Sequence, residues 1–197
     1  MKTDVPRPIR LKDYRPPDYL IDTVALDFAL DPTRTRVRSR LEMRPNPAGR
    51  SSVPLKLDGE SLELGEVRRD GKVVSAGDYE LTEDKLVLPR VPQKPFTLEL
   101  ESFINPEANK ALQGLYRSRG IYCTQCEAEG FRRITYFLDR PDVLAVYTTR
   151  IEADAEAAPV LLSNGNPVER GSLDGGKRHY AVWKDPFPKP SYLFALV

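Results

Sequence analysis

The apolar residues of this chain recur at every second position, in short runs closed by turn residues roughly every ten positions, and that pattern belongs to half-buried β-strands. In Val24–Leu30 the apolar side chains are Val24, Leu26, Phe28 and Leu30; after Asp31-Pro32-Thr33 they are Val37, Leu41 and Met43, with arginines between them. A hairpin with one wet and one dry face reads this way. Val53, Leu55 and Leu57 repeat the alternation before Asp58-Gly59, and Leu62, Leu64 and Val67 lead to Asp70-Gly71, a dipeptide suited to a tight hairpin turn. Further strands are expected at Val73-Val74, Tyr79–Leu81, Leu86–Leu88 and Phe96–Leu100, and again at Val143–Ile151, Val160–Leu162, Val168 and His179–Trp183. Eighteen prolines disfavour long helices. The expectation is an all-β chain of saddle-like, curved antiparallel sheets or a β-sandwich, with at most short helical turns, such as one capped by Asn105 ahead of Pro106.

Thirty basic residues against 29 acidic ones leave a formal charge of +1, so no strong field draws the chain to nucleic acid or to an anionic membrane. The arginines of Arg34–Arg44 alternate with apolar or small residues and read as a solvated strand face. Met1–Pro8 holds no apolar stretch of a signal peptide, and nothing approaches the ~18 apolar residues of a membrane span. Two cysteines make no disulfide framework, so a reducing, cytoplasmic setting is expected. The last residues, Pro190–Val197, are an apolar, β-prone run without a following turn. We expect a longer polypeptide to continue there; a strand buried at a natural terminus is the other reading.

Residues 113–142 show no clean period and carry most of the candidate chemistry. Cys123-Thr124-Gln125-Cys126 has three readings. A structural zinc site needs about four ligands, and the chain has one histidine, His179, and no second cysteine pair. A redox pair normally opens a helix in a βαβ setting, which is missing. The third reading is two small side chains at an incidental spacing. In Gln125-Cys126-Glu127-Ala128-Glu129, an extended backbone would turn Gln125, Glu127 and Glu129 to one side. A carboxylate and an amide converging there would suit an ammonium group. Glu127 or Glu129 with Asp139 or Asp142 could also form a glycosidase-like acid pair. His179, beside Tyr180, reads as a packed or surface residue, and Arg140 as a local partner of Asp139 and Asp142. No Ser-His-Asp set, phosphate loop or dinucleotide fingerprint occurs.

Gly114-Leu115-Tyr116, then Cys123-Thr124-Gln125-Cys126-Glu127-Ala128-Glu129-Gly130-Phe131-Arg132, then Ile134-Thr135-Tyr136-Phe137-Leu138-Asp139-Arg140-Pro141-Asp142-Val143 resemble the bacterial aminopeptidase N family. So do Asp13-Tyr14-Arg15, Pro17-Asp18-Tyr19, Leu162-Ser163-Asn164-Gly165-Asn166 and Asp185–Val197. The likeness covers nearly the whole chain. It implies an N-terminal β domain, residues 1–197, of a zinc exopeptidase that removes N-terminal amino acids from peptides. The catalytic zinc domain, with its His-Glu-x-x-His helix and Gly-x-Met-x-Asn strand, would be absent from this chain. Its partners would be that missing domain and the N-terminus of a peptide substrate, with no nucleic acid and no membrane. Zinc would belong to the full-length enzyme, and the isolated fragment would bind none and be inactive. Carried over by position, Glu127 would bind the substrate's free α-amino group and Gln125 would line the pocket for its first side chain. Catalytic and metal-binding residues are expected elsewhere. The alternative is a stand-alone β-sandwich binding or scaffold module related to these enzymes.

Overall fold

In chain order the strands are β1 (Tyr19–Ala29), β2 (Thr35–Pro45), β3 (Leu55–Asp58), β4 (Glu63–Arg69), β5 (Lys72–Val73), β6 (Glu80–Leu81), β7 (Lys85–Leu88), β8 (Phe96–Ile104), β9 (Gly114–Ser118), β10 (Ile121–Gln125), β11 (Ala145–Asp154), β12 (Asn166–Leu173) and β13 (Arg178–Lys189). The computed structural model describes residues 10–197, so Met1–Pro8 lies outside the described residues. Helical turns among those residues are 3₁₀ segments of three residues each, as at Phe131–Arg133 and Ser191–Leu193. The all-β expectation holds.

Eight strands form one sheet in the order β12-β13-β11-β1-β2-β8-β4-β5; β3-β7-β6 form a second, and β9-β10 a separate hairpin. The β1–β2 hairpin is closed by Asp31, whose Oδ1 accepts the N–H groups of Thr33 (2.9 Å) and Arg34 (2.8 Å). Asp70 and Gly71 join β4 to β5 with positive φ at both positions (51° and 75°), as the dipeptide predicts. Two features departed from simple alternation. In β1 the buried residues are Tyr19 and Ile21, then Val24, Leu26 and Phe28, because a register shift between Ile21 and Thr23 moves the buried set from odd to even positions. And β1 pairs with β11 in parallel, from Thr23↔Val146 to Ala29↔Glu152, whereas the other pairings among the described residues are antiparallel. A half-buried strand alternates identically in either sense, so the sequence pattern carries no sign of this pair.

Asn105 caps a turn, its Oδ1 accepting the Ala108 N–H at 2.9 Å, but no helix grows from it. The strand expected at Val160–Leu162 is reduced to one rung: Leu162 and Val197 exchange two backbone hydrogen bonds, at 2.8 and 3.0 Å.

The wet face of the large sheet carries the arginines as a ladder of ion pairs: Arg38–Glu101 (2.9 Å), Arg40–Glu42 (2.7 Å), Arg150–Asp27 (3.1 Å) and Arg178–Glu152 (2.9 Å). Pairs this open to water each contribute about 0–1 kcal/mol. The dry face supplies the core, where Leu41, Leu98 and Tyr147 of the large sheet join Leu55, Leu57, Leu86 and Leu88 of the small one. Residues 131–138 thread into the same core. Asp58 and Phe137 exchange backbone hydrogen bonds (2.8 and 3.0 Å), and Ser39 Oγ meets Thr135 Oγ1 at 2.9 Å in the interior. Phe131 lies edge-on to Phe137 (4.8 Å), Phe194 (5.3 Å) and Tyr147 (6.1 Å), so an aromatic cluster seats the segment that follows the candidate loop.

Candidate functional site

The stretch without a period contains a hairpin. β9 and β10 turn over Arg119-Gly120, both with positive φ (50° and 87°), and pair from Ser118↔Ile121 to Gly114↔Gln125. Sequence reading missed it because its faces are not sorted: Ile121 is exposed, Tyr122 buried and Cys123 half-buried.

β10 ends at Gln125, and residues 127–130 form a turn closed by the Gly130 N–H donating to Cys126 O at 2.8 Å. The alternation expected to carry Gln125, Glu127 and Glu129 to one side therefore stops at Gln125. Gln125 stays coupled to the turn, its Nε2 donating to the Glu127 carbonyl at 3.1 Å. Glu129 swings back toward Arg132, 3.4 Å away. The Glu127 side chain is exposed, and its carboxylate has no hydrogen-bond or ion-pair partner among the described residues. The peptide bond between Glu127 and Ala128 is cis.

The base of the turn is tightly built. A Cβ on Gly130 would fall inside contact distance of the Gln125 carbonyl oxygen and 2.9 Å from Cys126 Cα, so only glycine lets the two ends of the turn approach. Behind it, Asp139 is 4% exposed. Its Oδ2 accepts the Arg132 N–H (3.1 Å) and Arg132 Nε (3.0 Å), and its Oδ1 accepts the Ser191 hydroxyl at 2.6 Å. Burial works against the Arg132 charge, but the bond to Asp139 and the nearby carboxylates of Asp58, Asp139 and Glu129 hold the guanidinium above its ordinary pKa. This pairing was not legible: the adjacent Arg140 looked like the partner. Arg140 instead binds Asp142 (2.7 Å) and the Arg15 carbonyl (2.8 Å). The glycosidase-like acid pair is thereby overturned. Asp139 has both oxygens engaged in the interior, and Asp142 is bound by Arg140 and the Tyr14 hydroxyl (3.0 Å), with its pKa lowered chiefly by the Arg140 bond.

Cys123 and Cys126 form no disulfide with each other. Both are free thiols; Cys126 is buried, and that burial, reinforced by the Asp139 charge, pushes its pKa up to about 12. A thiol so held stays protonated at neutral pH and is a poor nucleophile. His179 sits in β13 with Nε2 2.7 Å from the Ala158 carbonyl, the packed residue expected. No three of His, Cys, Asp and Glu come together among the described residues, so this donor set does not fit zinc. A broad depression of about 730 Å³ lies on the wet face, lined by paired charges such as Arg38, Glu101 and Arg150, and none of residues 123–130 borders it.

The Peptidase M1 N-terminal domain model matches residues 15–193. Aminopeptidase N of Caulobacter vibrioides is 55% identical over 197 residues, all of this chain and 22% of that protein, and aminopeptidase N of Escherichia coli is 51% identical over 94% of this chain and 21% of its own length. The chain thus spans about a fifth of the relatives it matches. Legionella pneumophila aminopeptidase A, solved in complex with aspartic acid, superposes with a TM-score of 0.88 at 40% identity, over 95% of this chain and 22% of that one. An M1 zinc metallopeptidase from Deinococcus radiodurans shares the fold at 16% identity, with a TM-score of 0.75 over 91% of this chain and 42% of its own. The family model spans nearly the whole chain and the relatives at high identity are bacterial aminopeptidases, so the chain belongs to the Peptidase M1 N-terminal domain family.

Proposed function

We propose that residues 1–197 form a single, non-catalytic N-terminal domain of a longer zinc aminopeptidase, and that Glu127, in the turn that follows β10, recognises the free α-amino group of a peptide substrate. One observation carries this reading: the Glu127 carboxylate stands exposed and without a partner among the described residues, at the tip of a turn whose base is locked in the interior. A carboxylate left free on a rigid support is pre-organised for a cation, and with an ammonium group it forms a charge-assisted hydrogen bond of the strong kind. Gln125, bonded to the Glu127 backbone and equally exposed, would stand beside the first side chain of the bound peptide. Holding the terminus fixes which peptide bond reaches the reacting centre, and so restricts cleavage to the first residue.

Zinc enters this reading only as the metal of the remaining polypeptide, since the donors among the described residues do not fit it. The relatives at high identity, each several times the length of this chain, support the larger enzyme. We place it in the cytoplasm; no described helix is long and apolar enough to cross a membrane. Release of amino acids from aminoacyl-arylamides tests the division of labour. The full-length protein should turn over and the purified 1–197 chain should not, with or without added zinc; robust turnover by the chain alone would place catalysis here. A reading frame that stops at Val197 would favour the stand-alone module instead.

A further inference from the structure

The segment Pro190–Val197 lies along both stems of the Glu127 turn. Ahead of the turn, the Thr124 hydroxyl donates to the Leu196 carbonyl (3.0 Å) and accepts the Leu196 N–H (2.8 Å), so one side chain satisfies both backbone groups of one residue. After the turn, Phe194 packs edge-on to Phe131 at 5.3 Å. Behind it, Ser191 donates to Asp139, which holds Arg132. The segment is itself pinned on its other side. Leu162 pairs with Val197, Ser163 Oγ donates to the Ala195 carbonyl (2.7 Å), and Asn164 accepts from the Ala195 N–H (2.7 Å) and donates to the Leu193 carbonyl (3.1 Å). A strap fixed on both sides therefore runs between the 162–164 loop and the recognition turn. Among the described residues, Thr124 is the one side chain that joins the strap's backbone directly to β10, a residue before Gln125.

We propose that Thr124 is a positioning residue for substrate recognition: by clamping β10 to the strap 190–197 it sets the placement of the Glu127 carboxylate, with Asp139 and Ser191 as the second clamp. The proposal rests on the assignment of Glu127 to the α-amino group. On that assignment the strap is also the segment that leads toward the rest of the enzyme, so the clamp references the carboxylate to the domain that carries out the reaction. Thr124 touches no substrate; its part is to remove slack from a contact that works only at hydrogen-bond range.

The test is steady-state kinetics of the full-length enzyme on a free-amino dipeptide, comparing wild type, Thr124→Val, Thr124→Ser, Glu127→Ala and the double variant Thr124→Val/Glu127→Ala. Thr124→Val keeps the shape and removes both hydrogen bonds. It should raise KM and lower kcat/KM by about tenfold, with a modest fall in the unfolding temperature because both Leu196 backbone groups lose their partner, and Thr124→Ser should restore both. In the Glu127→Ala background the same substitution should do nothing further, because a clamp has no effect once the group it positions is gone. Wild-type kinetics for Thr124→Val beside an impaired Glu127→Ala would overturn the clamp and leave the recognition reading standing. Unchanged kinetics for Glu127→Ala would overturn both. A loss in the double variant that simply adds would assign Thr124 a general structural role and refute the proposal. Should Thr124→Val not fold, Ser191→Ala removes one oxygen from the second clamp and is held to the same cycle.

Discussion

Replacing Asp139 by asparagine keeps the side chain's size and removes its charge, which isolates what the buried carboxylate does. Oδ2 accepts two donors of Arg132, at 3.1 and 3.0 Å, and Oδ1 accepts Ser191 at 2.6 Å. An amide has one oxygen and one NH₂, so with its oxygen kept on the Arg132 donors its NH₂ faces the Ser191 hydroxyl, which can turn to accept it. The hydrogen bonds survive in neutral form, and the Arg132 charge keeps the residue 139 backbone carbonyl (3.1 Å), the more exposed Glu129 (3.4 Å) and the nearby carboxylate of Asp58. Losing one side of an interior ion pair costs about 3 kcal/mol, against about 1 kcal/mol for a neutral hydrogen bond. For a chain of this size that corresponds to a fall in Tm of about 6–12 °C. Urea unfolding of the 1–197 chain, wild type against Asp139→Asn, measures it. Arg132→Leu in the Asp139→Asn background should recover part of the loss, since it removes the stranded charge. A loss under about 1 kcal/mol would show that Asp139 is not the anchor described here.

Gly130→Ala should destabilise the chain by about 1–3 kcal/mol in the same assay, because the added methyl meets Gln125 O and Cys126 Cα; wild-type stability would mean that the turn is looser than its geometry. At pH 8 a thiol reagent should titrate the half-buried Cys123 in the native chain and reach Cys126 only on unfolding. The Cys126 thiol also gives a sign for alkaline stability. Its folded pKa of about 12 lies above the ordinary value of 9.0, so its contribution is complete below about pH 9 and changes as pH rises toward 12. Over that window the unfolded chain releases the thiol proton while the folded chain retains it, so stability falls with rising pH. Cys126→Ala should flatten that part of the stability–pH curve, and an unaltered curve would contradict the assignment. Thr124→Val carries the kinetic prediction given above.

The strands were legible where one face is dry and the other wet. β2 and β8 alternate so cleanly that Val37, Leu41 and Met43 and the run Phe96–Leu100 read directly as strands, and Asp70-Gly71 named its own turn. The parallel β1–β11 pair was illegible because alternation is blind to strand direction. The β9–β10 hairpin was illegible because its side chains are not sorted by face. At the site, residue chemistry raised Gln125, Glu127 and Glu129 together as an ammonium site and resemblance singled out Glu127 and Gln125; the extended-chain argument for grouping Glu129 with them failed where β10 ends. The scaffold beneath them had almost no sequence signal. Asp139 and Arg132 meet across seven residues of irregular chain, and Thr124 and Leu196 across seventy-two. Such contacts are set by how residues 131–138 and 190–197 fold onto the core, which no local spacing encodes. One hint was available: Asp139 directly follows the apolar run Tyr136-Phe137-Leu138, where a charge needs a partner.

The central claim is that Glu127 binds the substrate's ammonium group. It is tested most directly by kcat/KM of the full-length enzyme for a free-amino dipeptide and for its des-amino analogue, in wild type and in Glu127→Gln. A charge-assisted hydrogen bond contributes about 1.5–3 kcal/mol, so the wild-type preference for the free amine should shrink by about 10- to 150-fold in the variant, with zinc content unchanged. The same preference in both proteins would contradict the account.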